Sequence, residues 1–224
     1  MVLAAGRGER MRPLSDSTPK PLLLAGGKPL IGYLLASLAR AGIRDIVINL
    51  SWLGERIRDS LRDGAELGVR ISYIEEGPIP LETGGGIVNA LPLLGSDPFI
   101  VVSGDIWTDF DFLSLHVAAQ ADAQVVLVAN PAHHLRGDFA LEGDRVVARE
   151  QDRLTYANIG LFRREMFSGY AVGRFPLVQV LQRSIAAGRL RGQVHRGEWM
   201  NIGTAQQLAA LDARLRGGGT RATG

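Results

Sequence analysis

Short apolar runs alternate with amphipathic helical stretches from residue 2 to residue 103, and that alternation narrows the fold more than any other feature. Residues 2–5, 44–50, 69–74, 98–103 and 123–129 read as strands. Between them Ile31, Leu34, Leu35, Leu38 and Ala39 draw a helical stripe that Gly42 is placed to end. Leu53, Ile57, Leu61 and Ala65 draw another, with Glu55, Arg56, Arg58, Asp59, Arg62 and Asp63 on its other faces. This order predicts an α/β, Rossmann-like, mostly parallel sheet flanked by helices. Ligands of such sheets bind beyond the carboxyl ends of the strands.

The second half is less regular. Residues 138–141, 145–149 and 154–162 predict short, partly antiparallel strands, and residues 175–187 a helix. Thr204, with Gln207 three residues on, caps a last helix along Leu208, Leu211 and Leu215. The expectation is one domain over residues 1–224: a half over about 1–110, a smaller mixed α+β half over 111–216, and a disordered tail over 217–224.

Composition excludes several classes. With 46% hydrophobic and 21% charged residues, a chain of 224 can bury a substantial core. Lys+Arg 25 against Asp+Glu 23, with only 6% aromatic residues, argues against nucleic acid or an anionic membrane as partner. The lack of cysteine excludes disulfides and thiol chemistry. No apolar run approaches the roughly 20 residues that span a bilayer. Met1-Val2-Leu3 lacks the pattern of a signal peptide, and the short first strand leaves room for a start slightly upstream. A cytoplasmic enzyme is expected.

The chemistry is concentrated in Leu3-Ala4-Ala5-Gly6-Arg7-Gly8-Glu9-Arg10-Met11-Arg12-Pro13, followed by Pro19-Lys20-Pro21. Glycines let backbone N–H groups approach an anion, and the basic side chains add charge where phosphates would lie. The string is not a Walker A loop, which needs Gly-Lys-Ser/Thr. Nor is it a dinucleotide fingerprint, because Met11 stands where the third glycine belongs and Pro13 opposes an immediate helix. Ser103-Gly104-Asp105 ends an apolar run and offers a carboxylate to a hard cation.

Together LAAGRGERMRPLSDSTPKPL and Trp199-Met200-Asn201-Ile202-Gly203-Thr204 resemble the signatures of the sugar-1-phosphate nucleotidyltransferases. PLETGGGI, SGDIWTDFDF and NPAHHLRGDF are most similar to the uridylyltransferases acting on N-acetylmuramate 1-phosphate in cell-wall recycling. The resemblance implies a GT-A-like fold, UTP and a sugar 1-phosphate as substrates, and Mg²⁺ as cofactor. It implies nucleotide contacts at Leu3, Ala5, Gly6, Arg7, Gly8, Lys20, Glu82, Thr83 and Gly84. It also implies catalytic roles for Arg12, Lys20 and Asp105, with Arg12 on the leaving pyrophosphate. Asp105 and Asn201 become the metal ligands, Asn201 standing where many relatives have Asp. Asp105, Arg136, Gly137, Glu150 and Asn158 are expected around the sugar, with Arg136 on the lactyl carboxylate of muramate.

Other residues carry less. Asp109 and Asp111 read as loop and helix-start residues. His133 and His134 are neighbours, and on an extended chain they would point apart, a poor chelating pair. The glycines from Gly84 to Gly86 read as a loop ahead of a helix over residues 87–94. Rivals are the same reaction on another hexose or heptose 1-phosphate with UTP or GTP, and a silent sugar-nucleotide-binding regulator.

Overall fold

A computed structural model describes residues 1–217. The first half contributes β1 (Val2–Leu3), α1 (Leu14–Ser17), β2 (Leu24–Ala25), β3 (Lys28–Pro29), α2 (Leu30–Arg40), β4 (Asp45–Leu50), α3 (Gly54–Leu61), β5 (Arg70–Glu75), α4 (Glu82–Ala90), β6 (Phe99–Ser103) and β7 (Ile106–Thr108). The second contributes β8 (Ala123–Val128), β9 (Ala140–Glu142), β10 (Arg145–Val147), β11 (Thr155–Phe162), α5 (Leu177–Ala186), β12 (Leu190–Val194), β13 (Trp199–Asn201) and α6 (Ala205–Gly217). Among the described residues no helix is long and apolar enough to cross a membrane.

One nine-stranded sheet, ordered β5-β4-β1-β6-β11-β8-β12-β10-β9, runs through both halves. β5, β4, β1 and β6 are parallel, as the alternation predicts. Beyond β6 the sheet is mixed: β11 runs antiparallel to both β6 and β8, and β12 parallel to β8. Both faces are covered, so the strands alternate between two cores. Ile46, Ile48 and Leu50 pack with the stripe of α2 on one face, whereas Val47, Val101 and Val125 pack with Val180 and Leu181 of α5 on the other.

Helix ends follow local chemistry. Gly42, at φ 75°, ends α2 and lets Ile43 N–H reach Leu38 O. Thr204 Oγ1 accepts the Gln207 N–H, and Gln207 Oε1 accepts the N–H of Gly203, a capping exchange at the start of α6. Gly217 is its last described residue; the tail expected after it lies outside the described residues.

Three expectations change. The stripe through Ala65 is cut at Leu61, because Arg62 and Gly64 take positive φ and Ala65 is exposed. α4 starts at Glu82 rather than at residue 87, with the three glycines inside it. It stops at Ala90, ahead of Pro92, which cannot donate to another helical turn. The strands β2, β3, β7, β12 and β13 carry too little apolar alternation to be anticipated.

Candidate active site

Parallel register sets the floor of the site. Leu3 lies level with Asn49 on one side and Ser103 on the other, all at the carboxyl ends of β1, β4 and β6. Ala4 N–H donates to Asn49 Oδ1 at 2.8 Å, Asn49 Nδ2 donates to Glu76 Oε1 at 2.5 Å, and Glu76 Oε2 accepts the N–H of Leu81 at 2.7 Å. This chain of bonds ties the start of the glycine loop to the residue that precedes α4. A cavity of about 200 Å³ opens above it, lined by Leu3, Ala5, Gly6, Gly8, Lys20, Glu82, Thr83 and Asp105 among others. A larger cavity of about 470 Å³ adjoins it and shares Leu3, Thr83 and Ser103. Its walls include Arg10, His133, His134, Asp138, Tyr156, Asn158, Trp199 and Asn201.

Where the cavities meet, Lys20 Nζ pairs with Asp105 Oδ2, with their side chains 15% and 18% exposed. The β7–β13 hairpin sets Asn201 opposite Ile106, and Ile202 N–H donates to Asp105 O at 3.0 Å. Two segments far apart in sequence are thereby paired through their backbones next to Asp105 and Asn201. Asp105 Oδ1 and Asn201 Oδ1 are both buried without a hydrogen-bond partner. An unsatisfied buried acceptor costs about 1–3 kcal/mol, so each of the two calls for a ligand. A carboxylate and an amide oxygen fit Mg²⁺, which completes its shell with phosphate oxygens and water. Among the described residues no cluster of three His, Cys, Asp or Glu side chains gathers to hold a metal by protein alone.

Asn158 faces the larger cavity because β11 bulges between Tyr156 and Gly160, with Asn158 at φ 56°. Asn tolerates that left-handed conformation better than a branched residue would. Burial pushes the Tyr156 phenol well above its usual range, so it remains neutral.

Several expected residues stand elsewhere. Arg12 turns outward to Asp16 at 2.7 Å and borders neither cavity. Met11, fully buried between Arg10 and Arg12, sends them to different sides, and it is Arg10 that lines the cleft against Gly203. Arg7 lies 4.4 Å over the Trp52 ring, bracing the loop rather than lining a cavity. Gly84 lies beneath the site: a Cβ there would come within 2.5 Å of Phe175, so helix packing demands it. Arg136 and Glu150 line a separate depression with Asn130, Asp152 and Arg153. Gly137 is a turn glycine at φ 60°, where a Cβ would strike the Arg153 carbonyl. His133 and His134 do not diverge, because residues 131–137 turn rather than extend. Asn49 and Glu76 have no local motif; their sole sequence signal is a polar residue at the end of a strand. Asp109 and Asp111 behave as read, Asp109 on Glu198 N–H and Asp111 capping a turn at Leu113.

The family model described as Nucleotidyl transferase matches residues 1–138, more than half of the sequence. The chain belongs to the nucleotidyl transferase family, and within it to the sugar-1-phosphate nucleotidyltransferases. It is 47% identical over 222 residues to an N-acetylmuramate alpha-1-phosphate uridylyltransferase from Neisseria meningitidis, covering 95% of this chain and 96% of that protein. Against a mannose-1-phosphate guanylyltransferase from Mycobacterium tuberculosis the identity is 32%, over 96% of this chain and 64% of the other. The fold matches that of a putative glucose-1-phosphate thymidylyltransferase from Bacillus anthracis in complex with a sucrose. That match has a TM-score of 0.84 at 20% identity and covers 96% of this chain and 94% of the other.

Proposed function

We propose that the enzyme transfers UMP from UTP to N-acetylmuramic acid α-1-phosphate, giving UDP-N-acetylmuramic acid and pyrophosphate, with Mg²⁺, in cytoplasmic cell-wall recycling. The observation that carries the reaction is the Lys20–Asp105 pair on the smaller of two adjoining cavities, with unpartnered buried oxygens on Asp105 and on Asn201 of the larger. The choice of uridine and muramate rests on likeness to the Neisseria uridylyltransferase. The smaller cavity takes the nucleotide and the larger the sugar.

In this reading a sugar-phosphate oxygen attacks the α-phosphorus as the bond to pyrophosphate breaks. The nucleophile is already an anion, so no side chain need remove a proton. Lys20 offsets the repulsion between the reactants, and Arg10 takes the role expected of Arg12 on the departing pyrophosphate. Asp105 and Asn201 would hold Mg²⁺, which supplies further charge neutralisation. Glu82 and Thr83, at the start of α4, border the nucleotide base.

Mass spectrometry of reactions containing UTP or GTP with muramate, glucosamine, mannose and glucose phosphates tests this. UDP-N-acetylmuramic acid with pyrophosphate should dominate. Turnover of the neutral sugar phosphates alone, or of GTP alone, would overturn the substrate assignment and leave the reaction class intact.

A further inference from the structure

Positive charge is unevenly spread along the cleft. Lys20 and Arg10 serve the phosphate end. Besides Arg10, the titratable side chains on the larger cavity are His133, His134, Asp138 and Tyr156. Arg136, the arginine expected for an acidic substituent on the sugar, lines the other depression.

The histidines are held by a built turn. His134 N–H donates to Pro131 O at 2.8 Å, while Asn130 Nδ2 donates to Leu135 O at 3.1 Å and Arg153 O at 2.8 Å. Both oxygens of Asp138 are engaged: Oδ2 accepts the Tyr156 N–H at 2.8 Å and Oδ1 lies 3.0 Å from His134 Nε2. Donation from Nε2 leaves Nδ1 for a ligand. A proton taken up at Nδ1 yields an imidazolium with one N–H on Asp138 and one to offer an anion.

We infer that His134, oriented by Asp138 and flanked by His133, is the subsite that selects a carboxylate-bearing sugar phosphate over a neutral one. This rests on the muramate reading above and deepens it by assigning the lactyl carboxylate to these side chains in place of Arg136. Asp138 is a positioning residue: it sets which His134 nitrogen faces the ligand.

Calorimetric binding of UDP-N-acetylmuramic acid and UDP-N-acetylglucosamine, which differ by the lactyl group, tests it on the wild type and four variants. His134→Gln should weaken the muramate ligand by about ten- to a hundredfold, the range of a hydrogen bond to a charged group. His133→Gln should weaken it less, and both should leave the glucosamine ligand within about twofold, which also reports an intact fold. Asp138→Asn, which frees the His134 ring from its carboxylate partner, should also weaken the muramate ligand while leaving the glucosamine ligand within about twofold. Equal weakening of both ligands by His134→Gln, no weakening of either, or selective loss in Arg136→Gln instead would overturn the inference alone. A wild type that binds the glucosamine ligand and not the muramate one would overturn the substrate reading with it.

Discussion

Lys20 and Asp105 neutralise each other across the junction of the two cavities, so binding a triphosphate must divide that charge anew. Which arginine assists is a question of side-chain direction. Arg12 and Asp16 are 56% and 43% exposed, a setting in which an i,i+4 pair contributes only about 0.3–0.5 kcal/mol. Arg12→Gln should therefore hold kcat/KM within about twofold. Arg10→Gln should lower kcat/KM by about 10²–10³, the usual loss when a donor to developing charge is removed. Steady-state kinetics decides, and the reverse order would restore Arg12 to the site. Lys20 and Asp105 were legible because each sits in a short motif at the end of a strand or between prolines. The choice of Arg10 over Arg12 was not, since it turns on the burial of Met11 by distant residues.

At the scale of elements, the parallel strands were legible from apolar runs, and α2 from its stripe and terminal glycine. α4 was not. Three successive glycines look like loop punctuation, since each costs a helix about 1 kcal/mol relative to alanine. Tertiary contact reverses that reading. Gly84 and Gly85 N–H both donate to Phe175 O at 3.0 Å, while Thr83 Oγ1 accepts the N–H of Leu177, so α4 and α5 cap one another. A Cβ on Gly85 would lie 1.8 Å from Gly173 O, against backbone that cannot move aside cheaply. Helix propensity favours Gly85→Ala by about 1 kcal/mol, whereas overpacking commonly costs about 1–3 kcal/mol and more against backbone. The second effect should win: chemical denaturation of Gly85→Ala should show net destabilisation, and a gain in stability would mean that α4 and the 173–176 segment are not so closely packed.

Across the whole molecule, a third small core explains how segments far apart in sequence keep the site in register. Met11, Leu23, Ala25, Leu30, Ile202 and Leu211 pack together away from the two faces of the main sheet. Met11 adjoins Arg10, Leu23 follows Lys20 by one helical turn, and Ile202 adjoins Asn201. α6 supplies Leu211 to this cluster and also fixes the β2–β3 turn, with Asp212 Oδ1 accepting the N–H of Gly26 at 2.8 Å. The C-terminal helix touches neither cavity, yet it anchors residues that border both. Leu211→Ala removes a fully buried side chain and should cost about 2–5 kcal/mol. Leu38→Ala, 2% exposed in a main core, should cost a similar amount and serves as the control. Assayed well below both melting temperatures, the Leu211 variant should need several-fold more Mg²⁺ for half its maximal rate, because Ile202 no longer holds Asn201 beside Asp105. The Leu38 variant should keep the wild-type requirement. Equal Mg²⁺ requirements in the two would mean that α6 stabilises the fold without governing the site.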